Sequence, residues 1–387
     1  MKPLAGCRVL DLGIITAGAA TSALLADMGA EVIKVESPTY RDPFRVWAGE
    51  GGAEEITDLP VHFRATNRNK QAISIDLKRP EGRAVMMRLV GKSDIVVENF
   101  RRGVLAKLGL SFAELKSANP AIVLASVSSQ GETGPDANHV SYGTTLEAVS
   151  GLAWGTGYAG GRPEVSGRDV NYPDQVVAVF AAGMIAAALR TVKQGRPGVH
   201  LDLSQRDLTS FLYGEAFVAA SRGEERPRAG NADPAAPVQD CFRANDGRWV
   251  AVTVEPRAIA DLTDLLGIGA GAPAAEIATR LAEAIALRSA DEAVAFVTSA
   301  GGKAAVVADG AAMMQAEGRL WSHALSRVDG AMVKGFPFQL DETPMSVASD
   351  APHVGADTSD VLARIGGYGD AEIAALAAAG IIELGRT

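Results

Sequence analysis

The chain has 387 residues, which is enough for two domains and a large core. Hydrophobic residues make up 47% of it and charged residues 21%, as in an ordinary soluble globular protein. The net charge of −9 argues against a general nucleic-acid binder, so an anionic ligand would need a local cluster of basic side chains.

Targeting, redox and metal signals are weak. The N-terminus, Met1-Lys2-Pro3-Leu4-Ala5-Gly6, has no apolar signal core, and no apolar run is long enough without interruption to cross a bilayer. A cytosolic protein is therefore expected. Two cysteines, Cys7 and Cys241, make no disulfide framework, and the five histidines lack paired metal-ligand spacing, so we expect no metal.

Strands and helices alternate through the first 127 residues. The pattern predicts strands at 7–12, 31–36, 73–76, 94–98 and 121–125, and helices at 17–28, 80–92 and 104–117. This alternation predicts a parallel sheet with helices on both faces. Ligands of such sheets bind in the crevice outside the carboxyl ends of the strands, here lined by residues 13–16, 37–45, 99–103 and 128–142.

The first strand-to-helix turn, Gly13-Ile-Ile-Thr-Ala-Gly18, lacks the three-glycine dinucleotide fingerprint, and no phosphate-loop lysine motif is present. NAD and ATP chemistry are therefore disfavoured. Basic residues nevertheless follow the predicted strand ends, where a solvated surface is the plain interpretation of each one alone. Their repeated placement on one rim favours an anionic, phosphate-bearing ligand; they are Arg41, Arg45, Lys78, Arg101, Arg102 and Lys107.

A polar, turn-rich segment ends at Asp174, and an alanine-rich helix over 175–193, apolar nearly all round, follows it. Such a helix is predicted to be buried. Asp174 is then an N-cap, and capping alone would explain it. The alternative is that the helix N-terminus aims an ionised carboxylate at a cleft, where it can act as a nucleophile on an acyl group.

The second half predicts a strand at 199–204, a helix at 207–222 and a polar linker at 223–237. A hairpin at 240–254 turns at Asn245-Asp-Gly247, and helices fill 259–312. The hairpin and the helices after it are predicted to form a smaller α+β domain, at about 230–325. Short helices are predicted at 358–365 and 370–379.

Over essentially its whole length the chain resembles the class III CoA-transferases, the CaiB–BaiF family. The order and spacing of several motifs carry the resemblance: Leu4-Ala-Gly-Cys-Arg-Val-Leu-Asp-Leu12, Leu25-Ala-Asp-Met-Gly-Ala-Glu-Val-Ile-Lys-Val-Glu36, Asn67-Arg-Asn-Lys70, Val97-Glu-Asn-Phe100, Gly335-Phe-Pro-Phe338 and Ala351-Pro-His-Val-Gly355. The resemblance implies a large Rossmann-like, CoA-binding domain from residues 1–222 and 326–387, and a small α+β domain at 230–325. It also implies a homodimer of interlocked rings.

The resemblance further implies site residues. It places the catalytic aspartate on Asp174, and CoA contacts on Ile15, Thr16, Ile75, Asp76, Leu77, Lys78, Asn99, Phe100, Arg101, Lys107, His139, Val140, Ser141 and Tyr142. Many members have an arginine directly after the second strand, where this chain has Ser37; Arg41 or Arg45 is the candidate replacement. The glycine-rich loop of oxalate-specific members is not evident, which argues against oxalate as the substrate.

The activity implied is transfer of CoA from an acyl-CoA thioester to a carboxylic acid, through a mixed anhydride and then a thioester on Asp174. An acyl-CoA racemase of the same family is the alternative. Racemases place a His-Asp pair where this chain has Tyr142-Gly143, so the second base is missing, and His139 would serve only after a rearrangement. A third hypothesis is a non-catalytic CoA-binding subunit, but the presence of Asp174 argues against it.

Overall fold

The computed structural model of the chain describes residues 1–46, 59–167, 170–269, 271–315, 325–328, 330–343 and 345–385. The chain forms two compact units. The larger comprises Met1–Leu152, Val165–Glu215 and Leu320–Thr387, and the smaller comprises Ala153–Glu164 and Ala216–Arg319.

Twelve strands lie within the described residues: β1 (Arg8–Asp11), β2 (Glu31–Glu36), β3 (Lys70–Ile75), β4 (Ile95–Glu98), β5 (Val123–Ser128), β6 (Val199–Ser204), β7 (Val238–Arg243), β8 (Trp249–Val254), β9 (Lys303–Val306), β10 (Leu325–Val328), β11 (Ala331–Lys334) and β12 (Ile382–Glu383).

The helices of the same part of the chain are α1 (Ala17–Asp27), α2 (Val61–Asn67), α3 (Pro80–Val90), α4 (Val104–Lys107), α5 (Phe112–Ala118), α6 (Gly143–Val149), α7 (Leu152–Gly155), α8 (Tyr172–Lys193), α9 (Gln205–Leu212), α10 (Gly214–Ser221), α11 (Ile259–Leu266), α12 (Ala274–Ala286), α13 (Ala290–Ser299), α14 (Gly310–Gln315), α15 (Thr358–Arg364) and α16 (Asp370–Ala378). Short 3₁₀ turns occur at Pro43–Arg45 and Pro256–Ala258.

The larger unit is built on a seven-stranded sheet in the order β12-β3-β2-β1-β4-β5-β6. All neighbours are parallel except β12, which runs antiparallel to β3. The predicted parallel sheet is thus confirmed. Because the strand order reverses between β1 and β4, the loops that follow these two strands diverge and leave a crevice at their carboxyl ends.

Both faces of this sheet are covered by apolar side chains. One core holds Leu10, Ile33, Ile73, Val96 and Leu124 under α3, α5, α15 and α16. The other holds alternate residues of the same strands, such as Val9, Val32 and Val97, under α1 and α8. Burial on both faces explains why neighbouring residues of one strand, such as Val9 and Leu10 or Val96 and Val97, are both apolar.

Helix α8 differs from the prediction at its start and in its burial. It begins at Tyr172, with Asn171 as its N-cap in a left-handed conformation (φ 46°), so Asp174 lies in the first turn and is not the cap. One face packs against α1, β5 and β6, but Val179, Phe180 and Met184 are 39%, 44% and 49% exposed. The helix is therefore not apolar-buried all round within one chain.

The same helix corrects the expectation about membrane spans. By length and composition, Tyr172–Lys193 is apolar enough to cross a bilayer. Its inward face carries Ala178, Ala182, Ile185 and Leu189, which belong to the sheet core, as in the central helix of a soluble domain.

Other predicted elements need smaller corrections. The helix expected at 104–117 is two helices, because Gly109 turns left-handed (φ 72°) and Ser111 starts α5 with a capping box to Glu114. The helix expected at 207–222 is likewise divided into α9 and α10. Strand β12 was not predicted, although it pairs Ile382 with Ile75.

The smaller unit contains the predicted hairpin, β7 and β8, to which β9 adds a third antiparallel strand. Helices α11, α12 and α13 supply the apolar side chains that pack on it, including Leu262, Leu281 and Val297. The linker expected at 223–237 is irregular.

Candidate active site

Asn99 links the two loops that border the crevice beside β1 and β4. Its side-chain oxygen accepts the amide of Ile14 (2.8 Å), and its side-chain nitrogen donates to the Ile14 carbonyl (3.0 Å). This exchange ties the loop after β4 to the loop after β1. Asn99, predicted as a CoA contact, therefore also holds the two walls of the crevice at a fixed spacing.

A shallow pocket of about 130 Å³ lies beside Asn99 at the carboxyl ends of β4 and β5. It brings together two of the predicted segments, 99–103 and 128–142, since its lining is Phe100, Arg101, Arg102, Ser128, Ser129, Gln130, Ala137, Asn138, His139 and Val140. Ser141 joins them through its hydroxyl, which accepts from Gln130 Nε2 (2.8 Å). Tyr142 is 65% exposed at the end of this segment.

Four cations expected on the rim carry no acidic partner among the described residues: Lys78, Arg101, Arg102 and Lys107, all of them exposed. Arg83 was not predicted, yet it lies against the turn at Gly109, directly after Lys107. In a chain of net charge −9, uncompensated cations near one sheet edge are suited to a phosphate-bearing ligand.

The two arginines proposed to replace the residue missing at Ser37 do not reach this rim as free cations. Arg45 is 1% exposed and pairs with Glu36 (Nη2–Oε2, 2.6 Å), while it stacks over the Phe63 ring. Arg41 is exposed and pairs with Glu383 (3.0 Å). The prediction that Arg45 faces the ligand is wrong, because the buried Glu36 carboxylate requires a charge partner.

Two other predicted contacts have buried side chains. Ile75 is fully buried in the sheet core, and Thr16 is 2% exposed at the start of α1. Both were predicted as CoA contacts, and neither side chain is exposed in the chain described here. Asp76, Leu77 and Lys78 follow Ile75 with increasing exposure, and Asp76 accepts the amide of Lys78 (3.1 Å).

Asp174 lies in the first turn of α8, partly buried and beside Gly143 at the start of α6. A β-carbon added to Gly143 would come within 3.1 Å of Asp174 Oδ2 and within 3.0 Å of Asn171 Oδ1. The glycine therefore leaves open the space next to the carboxylate. Burial raises the pKa of Asp174 to about 6, opposed only by a hydrogen bond from its own backbone amide.

A residue of α6 also holds the chain segment that precedes α8. The buried Glu147 accepts both the amide (2.8 Å) and the hydroxyl (2.5 Å) of Ser166, which precedes α8. Sequence reasoning missed Glu147, since nothing in its local sequence distinguishes it. It placed Gln130 only within the segment 128–142, and it considered Gly143 only as a position where racemases carry an acid–base pair. It also missed Asp42, for which a signal existed, because Asp-Pro is a turn-initiating dipeptide.

A doubly wound parallel sheet, with a desolvated carboxylate and unpaired cations near its ligand-binding edge, defines an α/β protein suited to acyl chemistry on an anionic substrate. The family model for CoA-transferase family III matches residues 4–358, and the chain belongs to that family. It is an enzyme of this class, which uses CoA thioesters as substrates.

Relatives support this assignment. The succinate–glutarate CoA-transferase of Agrobacterium fabrum is 31% identical over 384 residues, covering 94% of this chain and 96% of that protein. The acetyl-CoA:oxalate CoA-transferase of Acetobacter aceti is 33% identical over 267 residues, 68% of this chain and 67% of that protein. A CaiB/BaiF family protein from Brucella suis has the same fold, with a TM-score of 0.84 and 27% identity over 94% of this chain and 99% of its own.

Proposed function

We propose that the protein moves CoA from an acyl-CoA thioester to a carboxylic acid, with Asp174 as the covalent carrier. The observation that carries the proposal is the Asp174 carboxylate, partly desolvated and next to the space left by Gly143. With a pKa of about 6 it is mostly ionised at neutral pH, and incomplete solvation makes a carboxylate a better nucleophile.

The proposed reaction has four substitutions at carbonyl carbon. Asp174 attacks the donor thioester, so the C–S bond breaks and CoA leaves as the thiolate, forming a mixed anhydride. The thiolate then attacks the Asp174 carbonyl carbon, the donor acid leaves as a carboxylate, and Asp174 carries CoA as a thioester. The acceptor carboxylate displaces the thiolate to form a second anhydride. Attack of the thiolate on the acceptor carbonyl then frees Asp174 and the product.

The surroundings of Asp174 favour transfer over racemisation. A racemase needs two acid–base groups on opposite sides of the α-carbon. This chain has Gly143 beside Asp174, at the position where racemases carry an acid–base residue. Glycine has no side chain that could supply the second base. His139 is exposed and its ring lies 3.4 Å from Asp136, in the pocket with Arg101.

We place the phosphates of CoA on the exposed cations at the crevice rim, with the pocket at Phe100 and Arg101 as the entry. Lys78, Lys107 and Arg83 extend this positive surface along α3 and α4. Succinate and glutarate, the dicarboxylic acids in the name of the Agrobacterium relative, are the acceptors to screen first. NAD and a metal ion have no part in the proposed reaction.

We also propose that the protein works as a homodimer of interlocked rings in the cytosol, with the larger and smaller units as its two domains. The exposed apolar residues of α8, together with Phe211 of α9 (72% exposed), form a face that water does not favour. A second copy of the chain covering this face would bury α8 on all sides, as its composition predicts.

The test of the mechanism is chemical trapping. The protein is incubated with an acyl-CoA and hydroxylamine, digested, and the peptide containing Asp174 is examined by mass spectrometry. A hydroxamate on Asp174 is expected, since hydroxylamine captures both the anhydride and the thioester. Active transfer without a hydroxamate on any residue would argue for direct exchange without a covalent carrier.

A further inference from the structure

The turn after β1 contains a backbone conformation that its residue does not favour. Ile15 has φ of 61°, in the left-handed region, where the branched β-carbon of isoleucine crowds the backbone. Isoleucine there is a true outlier, which persists only when its surroundings hold it. The side chain of Ile15 packs beside Phe44 and Phe63, so the residue is anchored on that side.

A buried ion pair holds the same turn through its backbone. Lys34 Nζ lies 2.9 Å from Asp42 Oδ2, with side-chain exposures of 1% and 0%. Lys34 also donates to the Gly13 carbonyl (2.8 Å), and the Asp42 carboxylate accepts the Ile15 amide (3.2 Å). The pair thus holds the turn on both sides of Ile14. The pKa of Asp42 is lowered despite burial, because Lys34 and the backbone amides of Phe44 and Ile15 stabilise the ionised form.

Every amide of residues 13–15 is accepted by a side chain. Asp11 takes the first (2.8 Å), Asn99 the second (2.8 Å) and Asp42 the third. These acceptors come from three places on the sheet: β1 and the loops after β4 and β2. Residues 13–15 therefore offer no free N–H to a phosphate. Their contribution to binding lies in the fixed shape that they give the crevice wall beside Asn99.

We propose that Lys34 and Asp42 are positioning residues for acyl-CoA binding, because they hold Ile15 in its left-handed conformation and so fix the crevice wall. The inference rests on the proposed CoA site. A charge-assisted hydrogen bond in a dry environment is about twice as strong as a neutral one. The hydrogen bonds from Lys34 and Asp42 can therefore offset the cost of the left-handed conformation at Ile15.

The experiment compares Asp42→Asn and Lys34→Met with a matched control, Asp27→Asn. Asp27 forms an equally buried ion pair with Arg68 (2.5 Å, side chains 0% and 2% exposed), but at the far end of α1. All three variants remove one charge of a buried pair and should lower the melting temperature. Hydrogen exchange of a peptide covering residues 11–17 and the affinity for CoA itself are the discriminating readouts.

In Asp42→Asn and Lys34→Met the exchange of this peptide should accelerate about tenfold, and the Kd for CoA and the KM for acyl-CoA should each rise about tenfold. The yield of hydroxamate on Asp174 at saturating acyl-CoA should stay near that of the wild type. Asp27→Asn should leave the peptide's exchange and the Kd unchanged. Equal changes in Kd for Asp42→Asn and Asp27→Asn would overturn the proposal, since general destabilisation would then explain both.

The isoleucine supplies a second arm. Glycine adopts the left-handed region without crowding, so no contact is needed to offset strain at this position. In an Ile15→Gly background, Asp42→Asn should raise the Kd for CoA by less than about threefold, a clear departure from additivity. Full additivity would refute the role of backbone strain. If the wild-type protein showed neither CoA transfer nor a hydroxamate on Asp174, while hydrogen exchange of residues 11–17 in the variants changed as expected, only the proposed function would be refuted.

Discussion

Replacing Asp174 with asparagine separates a structural carboxylate from a catalytic one. The pKa of Asp174 is about 6 in the folded protein, against an ordinary value of 3.8, because burial disfavours its charge. The folded state therefore binds the proton more tightly than the unfolded chain between these two values. Ionisation above pH 6 then costs stability, by about 3 kcal/mol at pH 8.

The neutral asparagine does not bear that cost. Asp174→Asn should therefore be more stable than the wild type by about 2–3 kcal/mol at pH 8, allowing up to about 1 kcal/mol for the lost attraction to the helix N-terminus. The gain should disappear as the pH falls from 6 to 4. Urea denaturation followed by circular dichroism at both pH values measures it. Transfer activity should fall by several orders of magnitude while CoA still binds.

Asp207 provides the matched control, because it also lies in the first turn of a helix, α9, but is 69% exposed. Asp207→Asn should leave both the transfer activity and the stability at pH 8 near those of the wild type, because the exposed side chain is well solvated. If Asp174→Asn were destabilising at pH 8 and kept a tenth of wild-type transfer, with deamidation excluded by mass, Asp174 would be a structural residue and the mechanism would be wrong.

Three further predictions concern the ligand rim, the neighbour of Asp174 and the assembly. Lys107→Glu should raise the KM for CoA esters at least about tenfold, whereas Lys92→Glu, before β4 at the opposite edge of the sheet, should not; equal KM values for both would show that the rim faces solvent. Gly143→Asp should move the acid limb of the pH–rate profile to higher pH, because a second carboxyl beside Asp174 disfavours its ionisation; an unmoved limb would mean that the two side chains do not meet. Phe180→Asp should convert the proposed dimer into a monomer or an insoluble protein, as judged by light scattering, and a soluble dimer of this variant would place the subunit interface elsewhere.

Several elements could be predicted from the sequence because their signals are local. Strands such as Glu31–Glu36 and Val199–Ser204 are short segments rich in valine, isoleucine and leucine, and Pro80 marks the start of helix α3. The hairpin of β7 and β8 follows from Asn245-Asp-Gly247 between two alternating segments. Alternation of such elements restricts the fold to a parallel sheet with covered faces, and the carboxyl edge of that sheet is where ligands bind.

The candidate site was predictable to the level of segments. The residues expected near CoA at 99–101 and 139–141 do meet around one pocket, since the loops after adjacent parallel strands emerge at the same edge. Position along a segment was less certain. Ile75 lies on the same face of β3 as Ile73 and is buried in the core with it, while Lys78, three residues later, is exposed.

Only the tertiary structure decided which charges are free and which are used internally. Arg45 and Lys107 were both predicted on the ligand rim, yet one is buried against Glu36 and the other is exposed without an acidic partner among the described residues. The same holds for Asp42 and Asp174: the first is paired with Lys34, and the second faces a glycine from another helix. Pairing and desolvation depend on residues that are distant in the chain. The amino-acid sequence alone therefore determined the secondary-structure elements and the sheet edge at which ligands bind. The packing between those elements determined the chemistry of each side chain.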